Sequence, residues 1–255
     1  MTEYRSTWIS IFNLKKLDIN YYLAFINSNV AYKKVRSKGK HNFEYFCTLN
    51  VIEFMELVFA SNNPHKVKEI RSILGNSFTL LSLSDINIFE DIPENEPLIE
   101  GNALAKARYV YNVTGMNVFA DDTGLEIEAL NGLPGVNSAR FAGENKDSLA
   151  NIEKILAMLG DTENRKAQFR TVIALIFEKK EYLFEGIVRG RIIHEKRGAE
   201  GFGYDPVFIP DGMTKTFAEM ELAEKNTVSH RARAFEKLRE FLYQHSLSDN
   251  KEKFK

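Results

Sequence analysis

A chain of 255 residues with 44% hydrophobic content can bury a core as one domain or two, and a net charge of −1 offers no bulk positive field for nucleic acid. A single cysteine, Cys47, excludes a disulfide framework and a CxxC metal site, which suits a reducing cytoplasm. No apolar stretch approaches the ~20 residues needed to cross a bilayer, and the first residues lack the apolar run of a secretion signal. The expectation is a soluble cytoplasmic protein with no membrane partner.

The composition changes near Met55. Residues 1–54 hold 8 Lys+Arg against 4 Asp+Glu, and the remainder holds 26 against 31. The lone Trp8 and Cys47 lie before this seam, and all six prolines lie after it. The expected domain therefore spans 55–245. An extension, 1–54, precedes it and is expected to be loosely attached or absent from the working protein; a charged tail, 246–255, follows. The 11 aromatic residues of the extension argue the other way, since that much apolar surface favours burial.

From Met55 the pattern predicts a strand (56–60), a helix (63–74), a strand (79–83), an acidic loop and a helix (about 98–114) packed by Leu104, Ala107 and Tyr111. Strands at 117–121 and near 125–129 follow, then a loop with "NGLPG" and a helix near 147–159. Two long strands, 166–178 and 181–193, form a hairpin, and a closing helix covers about 227–243. Alternating strands and helices predict an α/β fold, and the hairpin makes its sheet mixed.

Several stretches could carry chemistry. In "ASNNPHKVKEI", Asn63 stands at an N-cap with Pro64 at the first helical position. The free amides of that helix start, with Ser61, Asn62, His65 and Lys66, form either a phosphate cradle or only a capped helix. The loop of Glu90, Asp91, Glu94, Glu96 and Glu100 is either a solvated face or the source of a metal carboxylate, and nothing within it selects the ligand.

"FADDTG" sets Asp121 and Asp122 at a turn or at a metal-binding corner at a strand end. Successive strand residues face opposite ways, so the two serve one ion identically only if the strand ends between them. Glu126 and Glu128, alternating with Leu125, Ile127 and Ala129, read as a wet strand face. Oxygen donors without a His or Cys cluster point to Mg²⁺.

In "GAEGFGYDPVF", Phe202, Gly203, Tyr204 and Asp205 offer a ring for stacking and a carboxylate for a ring N–H, or form a glycine-rich turn. "EKNTVSHR" brings Lys225, His230 and Arg231 as cationic donors to the start of the closing helix.

Taken in order, "ASNNPHK", "DIPE", "GNALAKA", "ADDTGL", "GLPGVNSARFAGE", "GFGYDPVF" and "EKNTVSHR" resemble the inosine triphosphate pyrophosphatase family over about residues 56–243. The resemblance implies an elongated mixed sheet flanked by helices, two lobes with a central substrate cleft, a homodimer, and Mg²⁺-dependent hydrolysis of ITP, dITP and XTP to monophosphate and pyrophosphate. It implies triphosphate binding by Ser61 to Lys66 and a substrate contact from Thr123. Asp122 becomes proton acceptor and metal ligand, with Glu94 as second ligand. Phe202 to Asp205 hold the purine, and Lys225, His230 and Arg231 complete the pocket. Two alternatives remain open: a Maf-like pyrophosphatase for pyrimidine or modified nucleotides, and a nucleotide-binding module without hydrolysis.

Overall fold

The computed structural model describes residues 31–34, 45–48, 56–74 and 79–252, with side chains over 56–73 and 79–245. Two units result, Met1–Glu53 and Phe54–Lys255. In the first, β1 (Ala31–Lys34) and β2 (Tyr45–Thr48) pair antiparallel. The rest of the extension, and with it most of the expectation of a loose tail, lies outside the described residues.

The second unit is built on a seven-stranded mixed sheet. Strands β3 (Glu56–Phe59), β4 (Thr79–Ser82) and β5 (Val118–Ile127) form its parallel part, with β3 in the middle. The short β6 (Pro134–Gly135), then β7 (Lys166–Phe177), β8 (Lys180–Ile192) and β9 (Phe208–Pro210) add antiparallel pairings. Helices α1 (Pro64–Leu74), α2 (Ile99–Thr114), α3 (Ser148–Leu159), α4 (Leu222–Val228) and α5 (His230–Glu252) complete it. Among the described residues no helix is long and apolar enough to cross a membrane.

Period-2 alternation sorts the core. Leu57, Phe59 and Phe119 face α1 and α5, packing on Ile70, Phe235, Leu238 and Leu242. Val58, Ala60, Val118 and Ala120 face α2 and pack on Ala103, Ala107 and Val110. A third cluster, with Leu125, Ile127, Phe169, Val188 and Phe208 against Ile152 and Ile155 of α3, covers the far end of the hairpin. Along β5, alternation puts this cluster on the same sheet face as Phe119. Between the two apolar clusters on that face stand Asp121, Thr123 and Thr171, a polar band across the sheet.

Four expectations change. "FADDTG" does not end a strand: β5 pairs with β7 without interruption from Val118↔Ile176 to Ile127↔Ala167. The predicted strands at 117–121 and 125–129 are therefore one, and Glu128 opens a 3-10 turn beyond it while Glu126 stays on the strand, bonded by Gln168. The buried stripe of α2 is Ile99, Asn102, Ala103, Lys106, Ala107 and Val110, so the helix is rotated and leaves Leu104 and Tyr111 only half-buried. The closing helix divides at Ser229 into α4 and α5, and α5 runs on to Glu252, into the predicted charged tail.

Candidate active site

The site begins where β3 hands over to α1. Ala60 N donates to Phe119 O at 2.8 Å, so β3 ends beside the first residues of β5. Asn63 Oδ1 accepts from His65 N (3.0 Å) and Lys66 N (3.3 Å), the N-cap the sequence calls for, and Ser61 Oγ accepts from Asn63 N at 3.2 Å. Asn62, Pro64 and His65 are exposed. Lys66 instead turns down onto the sheet, its Nζ 2.9 Å from Asp121 Oδ1.

Asp121 lies on the face covered by α1 and α5. Its second oxygen accepts from Arg231 Nε at 3.0 Å. Arg231 also pairs with Glu69, which pairs with Lys225 at 2.7 Å, which reaches Asp205 Oδ2 at 2.8 Å. Charges of alternating sign thus run from the start of α1 to the glycine-rich loop. All but Lys66 are buried, and each is paired, as burial demands. Burial works against the Asp121 carboxylate, yet Lys66 and Arg231 hold it well below the usual carboxylate range.

At the end of this chain Asp205 Oδ2 also accepts from Phe202 N at 2.8 Å. A Cβ at Gly201, whose φ is +77°, would stand 2.2 Å from the same oxygen, so this close approach needs glycine. Gly203 shapes the same turn, and Tyr204 OH donates to Ser138 O at 2.9 Å. Phe202 is half-buried, with Lys225 Nζ 5.1 Å and the Arg231 guanidinium 5.4 Å from its ring centre, and His65 stacked on it at 5.4 Å. The helix start, the loop and the closing residues therefore converge.

Asp122 faces the other way, toward α2. Lys106 Nζ lies 2.6 Å from Glu94 Oε1 and 3.4 Å from Asp122 Oδ1, joining the two carboxylates. Asn102 Nδ2 donates to Asp122 Oδ2 at 3.4 Å, and Asn102 Oδ1 accepts from Glu96 N at 3.0 Å. Burial raises the Asp122 pKa above its ordinary value in spite of Lys106 and Lys66. Burial opposes ionisation of Glu94 as well, but Lys106, with Lys66 and Arg140 behind it, brings that carboxyl down to about 2.

A hard cation fits this pair. Glu94 and Asp122 present oxygens to one shared positive charge, that of Lys106. Mg²⁺ is commonly held by one or two carboxylates, with waters and substrate phosphates supplying the remaining positions. Among the described residues no group of three or more His, Cys, Asp or Glu converges.

One assigned residue differs from expectation. His230 is not a cationic donor: it is 3% exposed, its ring stacks on Phe169 at 4.5 Å, and burial, then Arg231 and Lys225, push its pKa well below 6.5. Thr123 is half-buried, and its hydroxyl accepts from Arg231 Nη2 (3.3 Å) and shares a hydrogen bond with Thr171 at 2.7 Å.

Sequence reading passed over Glu69, Asn102, Lys106 and Arg140. Lys106 and Asn102 carried a usable signal, being polar residues four apart on the alanine-rich stripe of α2. Arg140 lay within the quoted "GLPGVNSARFAGE" motif, and Glu69 carried no signal.

A family model described as the Ham1 family matches residues 57–241. The chain is 55% identical over 188 residues to a dITP/XTP pyrophosphatase of Flavobacterium johnsoniae, covering 74% of this chain and 98% of that one. It is 53% identical over 188 residues to a dITP/XTP pyrophosphatase of Porphyromonas gingivalis, covering 73% and 97%. The solved structure of the Staphylococcus aureus Ham1 protein superposes with a TM-score of 0.68 at 40% identity, over 74% of this chain and 99% of that one. Sequence match, sheet topology and near-complete coverage of its relatives agree: the chain belongs to the Ham1 family.

Proposed function

We propose that this protein hydrolyses 6-oxo purine nucleoside triphosphates, ITP, dITP and XTP, to the monophosphate and pyrophosphate. One observation carries the reading. Asp122, a buried carboxyl with a raised pKa, stands one residue from Asp121, which anchors the lysine of a capped helix start. The cradle lies at the start of α1, and the charge of its Lys66 acts on Asp122 as well as on Asp121, which supports attack of water on a phosphorus held by that cradle.

In this reading the exposed start of α1 and Lys66 bind the phosphates, with amides at Asn62 to His65 as donors. Pyrophosphate release puts the attacked phosphorus at the α position, beside Asp122. Asp122 accepts the proton of the attacking water, and Lys106 holds that carboxylate and Glu94 in place. Lys66, Lys106, Arg140, Lys225 and Arg231 are matched by Glu69, Glu94, Asp121, Asp122 and Asp205. The charge of a triphosphate is therefore not offset by the side chains, which supports a divalent cation. Mg²⁺ held by Glu94 and Asp122 would neutralise phosphate charge and polarise the P–O bonds.

The purine lies against Phe202. Both hydrogen bonds to Asp205 fall on Oδ2, and Oδ1 is offered to the N1–H of a 6-oxo purine, with Lys225 as donor toward O6. Adenine reverses that pattern and leaves buried groups unpaired, at about 1–3 kcal/mol each. We also read the working unit as a cytoplasmic homodimer, which light scattering on the purified protein tests. The decisive assay measures pyrophosphate release across a nucleotide panel with and without Mg²⁺. ITP and XTP should exceed ATP, and orthophosphate as the first product or equal turnover of ATP sinks the proposal.

A further inference from the structure

The turn that carries Arg140 is tied down from several directions. Ser138 Oγ donates to Gly135 O (2.6 Å) and accepts from Leu125 N of β5 (2.8 Å). Asn151 of α3, itself buried, accepts from Ala142 N (2.6 Å) and donates to Ala139 O (2.9 Å). Lys154 donates to Phe141 O, and Tyr204 OH to Ser138 O. The turn also rests directly on the strand: a Cβ at Gly124, two residues from Asp122, would stand 2.6 Å from Gly135 O.

Surface turns are ordinarily held by their own backbone and change freely. Here α3, β5 and the loop after β8 all hold one short 3-10 turn, Ser138–Arg140. What the turn presents is Arg140, whose Nη1 donates to Glu94 Oε2 at 3.0 Å, while Glu94 Oε1 accepts from Lys106. Glu94 sits in a loop without helix or strand, half-buried, so nothing in its own segment fixes its side chain. Glu144 lies 3.5 Å from Arg140 Nε but is 90% exposed, a weak competitor.

We infer that Arg140 is a positioning residue: the clamped turn sets the Glu94 carboxylate at a fixed distance from Asp122, because turn and Asp122 are registered on the same strand. The inference rests on the proposed reading of Glu94 and Asp122 as the reacting pair. It assigns Arg140 no contact with substrate. Its effect therefore belongs in kcat and should pass entirely through Glu94.

The test is a double-mutant cycle of Arg140→Ala and Glu94→Gln, with Arg140→Lys as the conservative variant. Misplacing a reacting group by about 1 Å costs on the order of 100-fold, so R140A should lower kcat by roughly 10- to 100-fold. Nucleotide affinity, read by calorimetry in EDTA, should stay unchanged. R140K should recover part of kcat, and R140A should cost nothing further in the E94Q background. Hydrogen exchange of segment 91–97, which needs no turnover, should be faster in R140A than in the parent.

Full kcat in R140A, an undiminished loss in the E94Q background, or unchanged exchange of 91–97 overturns the inference. Loss of nucleotide affinity also overturns it, by making Arg140 a substrate ligand. A parent protein inactive on the nucleotide panel defeats the proposed function instead, and the exchange measurement still decides whether Arg140 holds the loop.

Discussion

Asp121 and Asp122 are neighbours in sequence and opposites in chemistry. Asp121 faces Lys66 and Arg231 and is held firmly ionised, whereas Asp122 faces Lys106 across the sheet with its pKa raised by burial. Half a strand period puts the two carboxylates on opposite faces of the sheet, in opposite environments. The pair is not a turn.

Substitution of each should therefore fail differently. Asp122→Asn should lower kcat by about 10²–10⁴-fold with the thermal midpoint nearly unchanged. Asp121→Asn leaves Lys66 and Arg231 without their shared buried partner and should lose about 3–5 kcal/mol of stability. Steady-state kinetics and thermal unfolding of the two variants check this, and matching behaviour in both would refute the division of roles.

His230 should make stability depend on pH. Its folded pKa is depressed by burial, so the unfolded chain binds a proton that the folded chain refuses. The associated stability is complete above the unfolded value near 6.5 and is lost as pH falls toward the folded pKa. Asp122 and Asp205, with raised pKa values, act in the opposite sense, so the comparison must be a difference. Subtracting the thermal midpoints of His230→Phe from those of the parent between neutral and mildly acidic pH should isolate a loss that only the parent suffers.

The proposed function assigns base selectivity to the glycine-rich loop. Asp205→Asn keeps an acceptor but adds a donor facing the purine edge, and Lys225 keeps Glu69 as partner. The kcat/KM ratio of ITP to ATP should narrow by about 1–3 kcal/mol of discrimination. An unchanged ratio would remove Asp205 from the base pocket.

A variant lacking residues 1–54 should fold and retain its activity. Among the described residues the three apolar clusters draw on positions from Leu57 to Leu242, and the family match begins at residue 57. Circular dichroism and pyrophosphate release on the shortened protein check it; an unfolded or inactive product would give the extension a working role.

Local physics was legible in the chain itself. The Asn63–Pro64 helix start, the long hairpin and the opposition of Asp121 to Asp122 all follow from capping chemistry and strand period, which act over a few residues. The ordered motifs carried the family. Tertiary structure alone decided the rest. Arg231 meets Asp121 across 110 positions and Lys225 meets Glu69 across 156, separations at which no local pattern signals a partner. That β5 continues through "DDTG" depended on an unbroken ladder with β7, which outweighs the turn preference of Asp and Gly. Whether His230 is charged and whether Asp122 can take a proton were decided by desolvation, a property of the packed surroundings and not of the residue.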